Sequence, residues 1–267
     1  MIGWCDHLVI LSPGHLVTAM RDRVYRTDAV IIRRTDFGEA DRLLTLITPQ
    51  GKRRVVAKGA RKTTSRLAGH IELFTHATLL LAVGRNLDII TQSVVLHSYQ
   101  TLRGDLKRIG AAYYAAELID RLIEEEDENR PAFELLVATL HALDTTRNLD
   151  LALRFYELRL LGFVGYRPNL YHCAVCQQAL TEDTQRFSPE AGGALCPRCA
   201  PSDRAALPIS LSTFKLLRFL QSQPLDAIER LTISPATRDE AERLMRVYVR
   251  RILERDLKSI AFLEEIS

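Results

Sequence analysis

Arg42-Leu-Leu-Thr-Leu-Ile-Thr48, then Pro49-Gln50-Gly51, then Lys52-Arg-Arg-Val-Val-Ala-Lys58 is the stretch on which the fold turns. Two extended runs flank a tight turn in which Pro presets φ and Gly closes the chain back on itself. The stretch is a β-hairpin whose return strand opens with three cations. Upstream, Asp28 to Arg34 sets Ala29, Ile31 and Arg33 against Val30, Ile32 and Arg34, a strand that ends in two arginines expected to be exposed. Downstream, Gly59 to Arg66 reads as a basic loop, and Leu73–Val83 and Leu87–His97 flank a further turn at Gly84-Arg85-Asn86. Five strands with one longer connection after the third suit a small Greek-key barrel of the OB type; an SH3-like barrel or an open sandwich has the same pattern.

From Thr101 the period becomes helical, with Leu102, Leu106, Ile109, Tyr113, Ala116, Leu118 or Ile119, Leu122 and Ile123 on one face. Asn129 followed by Arg130-Pro131 caps a second helix to about Leu143, and Leu149–Val164 makes a third that Gly165 ends. Two more are expected, one capped by Ser210 or Ser212 and running to about Leu220, the other from Thr237 to about Leu257. The fold class is therefore α+β: an OB barrel over 23–100, then a helical domain over 101–267 with a zinc-ribbon insertion at about 168–205.

Residues 1–22 stand apart as an extension, either disordered or upstream of a true start at Met20. Asp6, His7, Pro13 and His15 break its apolar character, and it has neither a basic leader nor a small-residue cleavage site, so it is not read as a signal peptide. The chain has 267 residues, 47% of them hydrophobic, enough for a sizeable core. It contains no run of about eighteen apolar residues that would span a bilayer as a helix. A soluble cytoplasmic protein is expected, with no membrane partner.

Four of the five cysteines form two C-x-x-C pairs, Cys173/Cys176 and Cys196/Cys199, nineteen residues apart. In a reducing compartment that spacing points to four thiolates around one structural Zn2+, with Cys5 left as a free thiol. Gln185-Arg-Phe187 and Ala194-Leu195 flank the turn Ser188–Gly193, a strand, turn and strand that join the two pairs as in a zinc ribbon. Iron fits the same ligand type, whereas a redox pair would need a βαβ setting that is missing. His172 is read as a solvent-facing neighbour of the site.

Charge is uneven. Between Arg21 and Arg66 there are thirteen Lys or Arg against five Asp or Glu, although the net formal charge of the whole chain is only +3. Glu117–Glu134 is acidic, with Glu124-Glu125-Glu126-Asp127-Glu128 in a row. Arg33, Arg34, Lys52, Arg53, Arg54, Lys58, Arg61, Lys62 and Arg66 are the candidate nucleic-acid-binding residues. Clustered cations release counterions from phosphates and give affinity without base specificity; the plainer reading is a solvated strand face. The barrel has only Tyr25, Phe37, Phe74 and Tyr99 as aromatics, with Phe74 expected in the core, so stacking contributes little. Phosphate-led, salt-sensitive binding of single- and double-stranded DNA suits strand annealing. Replacing Lys52, Arg53 and Arg54 together by Ala is expected to weaken it and leave the melting temperature nearly unchanged.

Glu39 and Asp41 are expected to form local salt bridges, and His70 and His76 lack partners at ligand spacing. No nucleophile triad, phosphate-cradling glycine loop or paired carboxylates are visible, so no enzymatic activity is expected.

The order of these features resembles a known family. Thr27–Arg34, Phe37–Gly51 and Ala57–Leu67 are similar to the N-terminal domain of the bacterial RecO family of recombination mediators, and Leu160-Leu-Gly-Phe-Val-Gly-Tyr-Arg-Pro168 with the four cysteines is similar to its helical core and zinc segment. The likeness covers roughly 24–260 and departs before Met20. It implies an OB fold and a helical domain acting in RecF-pathway DNA repair. Such proteins anneal strands, bind RecR, receive the acidic, apolar C-terminal tail of SSB and help load RecA onto SSB-coated single strands. By that likeness the basic residues would contact DNA at the nucleoid, and the metal would serve stability, since some members lack the cysteines. An RNA-binding barrel and ribbon protein of translation or RNA metabolism is the alternative that charge alone fits equally well, and a metal-dependent enzyme is a third.

Overall fold

In the computed structural model residues 23–182 and 186–266 are described. The extension at 1–22, with Cys5 and the choice between Met1 and Met20, lies outside the described residues, as does Gln185.

Strands β1 (Val24–Phe37), β2 (Asp41–Thr48) and β3 (Gly51–Ala57) form an antiparallel meander. The turn chemistry is as the sequence expects. Thr48 Oγ1 accepts from the Gln50 amide at 3.2 Å and donates to the Gly51 carbonyl at 2.9 Å, and Gly51 has φ +100°. After a long connection holding one 3-10 turn (Ala68–His70) come β4 (His76–Ala82) and β5 (Asp88–His97). Strand β1 pairs with both β2 and β4, and β5 runs parallel to β3 through Val55↔Asp88 and Val56↔Ile89. The ring closes in the order β1-β2-β3-β5-β4, the OB arrangement and not an open sandwich.

Alternation gives β1 two cores. Ala29 and Ile31 point into the barrel with Leu44, Leu46, Val55, Leu79 and Leu81. Val30 and Ile32 point outward and join the helical core with Ile47 and Phe74. The buried run Ala29–Ile32 ends at a bulge between Ile31 and Arg33, past which the strand is exposed again. Phe74 is fully buried, with its ring edge-on to Tyr113 at 4.9 Å.

The helical stretch expected from Thr101 is two helices, α1 (Gln100–Gly104) and α2 (Leu106–Leu122). Asp105 interrupts it with extended backbone, and its carboxylate accepts from the Arg108 amide at 3.0 Å to cap α2. Asn129 caps α3 (Arg130–Thr145) with Pro131 in the first turn, and α4 (Leu149–Phe163) is followed by Gly165 at φ +86°. Between α4 and the next helix, β6 (Arg186–Ser188), β7 (Gly193–Leu195) and β8 (Leu207–Pro208) make a small sheet of order β7-β6-β8, a third strand beyond the two the sequence announces.

Ser210, not Ser212, caps α5 (Leu211–Ser222). Helix α6 (Pro235–Leu253) starts earlier than expected because Ser234 is its cap, and it stops before Leu257 at Glu254, which takes the left-handed conformation. A further helix, α7 (Lys258–Ile266), lies on α2. Glu117 of α2 holds its start, accepting from the Lys258 amide (3.1 Å), the Ser259 amide (2.8 Å) and Ser259 Oγ (2.7 Å). Among the described residues no helix is long and apolar enough to cross a membrane.

Candidate metal centre and nucleic-acid interface

Two reverse turns build the cysteine cluster. Gln177 donates to the Cys173 carbonyl (2.9 Å) while sitting at φ 60°, and Cys199 and Ala200 both donate to the Cys196 carbonyl at 3.0 Å. Backbone hydrogen bonds from Cys173 to the Gln178 carbonyl and from Ala174 to the Ala194 carbonyl tie the first turn to the ribbon. All four Sγ atoms lie within 4.8 Å of one another, and Cys176 Sγ is 3.7 Å from Cys196 Sγ. Tetrahedral thiolates about 2.3 Å from zinc stand about 3.8 Å apart, so this separation fits a shared ion and is far too long for a disulfide.

The protonation chemistry agrees. Burial works against ionising Cys173, yet amide donors from Cys176, Cys196 and Val175 draw its thiol down to about 6. Cys199, hydrogen-bonded to Cys176 and half-buried beside the other sulfurs, is pushed up to about 12. Four sulfurs this close become thiolates together only when a cation neutralises them. The cluster is compatible with zinc.

The nine candidate cations divide by what already holds them. Arg33 is paired with Asp120 of α2 at 2.5 Å, and Arg34 is paired with Glu72. Lys52 Nζ donates to the Asp120 carbonyl at 2.7 Å and stands 3.4 Å from its carboxylate, with only 14% of the side chain exposed. Arg33 and Lys52 thus tie the barrel to α2, and Arg34 ties β1 to the connection that precedes β4. Arg53 lies over the Tyr25 ring at 5.8 Å, and Tyr25 donates to Asp88 at 2.5 Å. Burial and that carboxylate push the Tyr25 hydroxyl up to about 12. Arg61 is held by the Gly38 carbonyl (3.3 Å) and by Asp36 (3.5 Å). Arg54, Lys58, Lys62 and Arg66 are exposed. The loop carrying the last three is anchored by Asp41, which accepts from the Gly59 amide at 2.7 Å; Asp36 makes the ion pairs expected of Glu39 and Asp41.

Three features escaped the sequence. The acidic run after α2 lies against β3: Glu126 donates its amide to the Lys52 carbonyl at 3.1 Å, and Glu125 bridges Lys52 in parallel register. Glu124 and Glu125 line a cleft with Arg33, Lys52, Arg54 and Asp120. A groove of about 830 Å³ runs between β1, α2 and α7, with Ile32, Leu73, Tyr113 and Phe262 below and Arg34 and Lys258 among its polar lining. Finally, His76 meets His97 at 5.8 Å across the β4–β5 pair, and His97 meets His141 of α3 at 6.2 Å. Nothing in the one-dimensional spacing of these residues announces the contacts.

Comparison with known proteins follows this architecture closely. The family description "Recombination protein O N terminal" matches residues 20–99, and "Recombination protein O C terminal" matches residues 103–261. The chain is 65% identical over 247 residues to the DNA repair protein RecO of Roseiflexus sp. (strain RS-1), covering 92% of this chain and 87% of the relative. It is 38% identical over 244 residues to the protein of the same name from Dehalococcoides mccartyi (strain ATCC BAA-2266 / KCTC 15142 / 195), covering 91% and 96%. Over 247 residues it is 34% identical to that of Symbiobacterium thermophilum, covering 91% and 98%.

Proposed function

We propose, from the premise that this chain belongs to the RecO family of DNA repair proteins, that it is a DNA-binding recombination mediator that works without catalytic turnover. In this reading it anneals complementary strands and, with RecR, helps load RecA onto single-stranded DNA coated by SSB, in the cytoplasm at the nucleoid. The observation that carries it is the group of exposed cations, Arg54, Lys58, Lys62 and Arg66, on and beside an OB barrel. Arg53 and Arg61 border that group, and Arg33, Arg34 and Lys52 hold the barrel in place beside it. Neutralising phosphates on two strands at once removes the repulsion that slows their pairing, which is chemistry that charge and position supply without a reacting group.

The groove between β1, α2 and α7 is the site we propose for the C-terminal tail of SSB. Its apolar floor suits an apolar side chain, and Lys258, with Arg34 and Arg121 competing against Glu117 and Asp120 in the same lining, suits acidic residues and a carboxylate. The cysteine cluster takes Zn2+ in a structural role, because four thiolates fill a tetrahedron and leave no position for a substrate.

The test is the annealing rate of complementary DNA strands coated with SSB, measured at two salt concentrations with the natural chain and with Lys58→Ala/Lys62→Ala/Arg66→Ala. Salt-sensitive acceleration that the triple variant loses is the expected result. No acceleration by folded, zinc-loaded protein would defeat the reading, and preference for RNA over DNA in competition would redirect it to RNA.

A further inference from the structure

The segment joining α2 to α3 is short and held at both ends. Ile123 is buried at its start, and Asn129 caps α3 at its end. The five residues between them, Glu124–Glu128, are all acidic and all exposed. They do not loop away into solvent. Glu126 donates to the Lys52 carbonyl, and the backbone of Asp127 passes so close to Gly51 that a Cβ there would stand 2.5 Å from the Asp127 carbonyl oxygen. The acidic strap is thus fixed along the first residues of the strand that opens with Lys52, Arg53 and Arg54. Below it, Asp120 already binds Arg33 and Lys52.

This placement is electrostatically unusual for a surface meant to meet a polyanion. A phosphate approaching the outer face of β3 meets Arg54, with Arg121 and Arg255 beside it, and in the same cleft Asp120, Glu124 and Glu125. Two of the strap's carboxylates, Glu124 and Glu125, line the cleft that a phosphate would enter. Unlike a mobile acidic tail, the strap loses no conformational freedom when it occupies this position, since its backbone is already ordered there.

We infer that the strap Glu124–Glu128 is a built-in competitor for phosphate that holds down nucleic-acid binding on the outer face of β3. This rests on the DNA-binding reading above and names how that site is regulated. The strap leaves the Lys58–Arg66 loop as the primary contact and keeps Arg54 from adding to it. A partner that draws the strap away makes the whole barrel face available.

The magnitude follows from counterion release. Each additional phosphate neutralised steepens the slope of log K against log salt by about 0.9, which at about 50 mM salt is worth roughly ten-fold in affinity. The experiment uses the full zinc-loaded chain, a labelled single strand and fluorescence anisotropy over a salt series. Glu124→Gln/Glu125→Gln is compared with Asp226→Asn/Asp239→Asn, which removes the same charge from exposed positions on the 3-10 turn Leu225–Arg230 and on α6. All four side chains are exposed, so folding is preserved. The strap pair is expected to bind about ten-fold more tightly at low salt with a slope steeper by about one phosphate, and the control pair less than two-fold more tightly. Equal gains from both pairs, or none from the strap pair while the natural chain binds, overturn the inference. If the natural chain and both variants all fail to bind, the DNA-binding reading falls and takes the inference with it. Tight binding by the strap pair alone supports both.

Discussion

Lys52→Ala separates what the structure says from what charge alone suggests. The Lys52 ammonium is mostly buried and donates to the Asp120 carbonyl at 2.7 Å, with the Asp120 carboxylate, itself 12% exposed on its side chain, at 3.4 Å. Removing it deletes a charge-assisted hydrogen bond worth about 1.5 to 3 kcal/mol and leaves a largely buried carboxylate with Arg33 as its remaining cation. A loss of about 2 kcal/mol in urea unfolding is therefore expected, equivalent to roughly 4 to 8 °C in melting temperature for a chain of this size. DNA affinity should change less than about two-fold, with an unaltered salt slope, because the Lys52 ammonium is already held by Asp120. Lys62→Ala should do the opposite: no change in stability, and a slope shallower by about 0.9. Unfolding monitored by circular dichroism and binding monitored by anisotropy, on the same preparations, decide the matter. If Lys52→Ala leaves stability intact and flattens the slope, the reasoning from its burial is refuted. The combined replacement of Lys52, Arg53 and Arg54 should accordingly lower the melting temperature, contrary to what the sequence alone leads one to expect.

Purified protein should carry one zinc per chain, and Cys176→Ser should release it and lower the melting temperature by several degrees; full retention of metal would contradict the four-thiolate centre. Burial holds His76 below the usual imidazole range, with Asp28 opposing the shift and His97 reinforcing it. The unfolded chain then takes up a proton that the folded one refuses. Stability should be full above about pH 6.5 and fall below it by up to about 1.4 kcal/mol per pH unit, and His76→Gln should flatten that decline; an equal decline in the variant would assign it to other groups. Gly110→Ala should unseat α7, since its Cβ would stand 2.7 Å from Ile266 Cδ1 and 3.0 Å from Leu263 Cδ2. The helix-propensity gain of roughly 1 kcal/mol offsets the crowding, so the readout is faster amide exchange in α7 with little change in global stability, and unchanged exchange would count against the packing.

The legible parts of the fold were those whose signal is local. Pro49-Gln50-Gly51, the Asn129-Arg130-Pro131 cap and the C-x-x-C pairs each carry their own geometry, and each appears where the sequence puts it. What the sequence concealed depends on contacts between distant segments. The partner of Lys52 lies 68 residues further along, and no periodicity links a basic strand to an acidic connection. Strand β8 spans two residues, too few to show a period of two. The break between α1 and α2 was readable in principle, because Asp105 is a good cap, but the apolar face runs across it without interruption. Helix α7 has its own apolar face, and its position is set by Glu117, which no local rule singles out.

Strand β1, whose middle serves two cores, has a consequence for how the protein is made. The barrel can close only once β5 ends at His97, and about 25 further residues must be added before α2, the first long helix of the core that Val30 and Ile32 join, is complete at Leu122. At about 5 to 20 residues per second, that interval is roughly 1 to 5 s, long compared with the closing of a small β-structure. A nascent chain can therefore complete its barrel while Val30, Ile32 and Ile47 still form a greasy stripe on the outside. During those seconds the protein is most in need of a chaperone, and the same stripe would make an isolated barrel fragment self-associate when expressed without its helices.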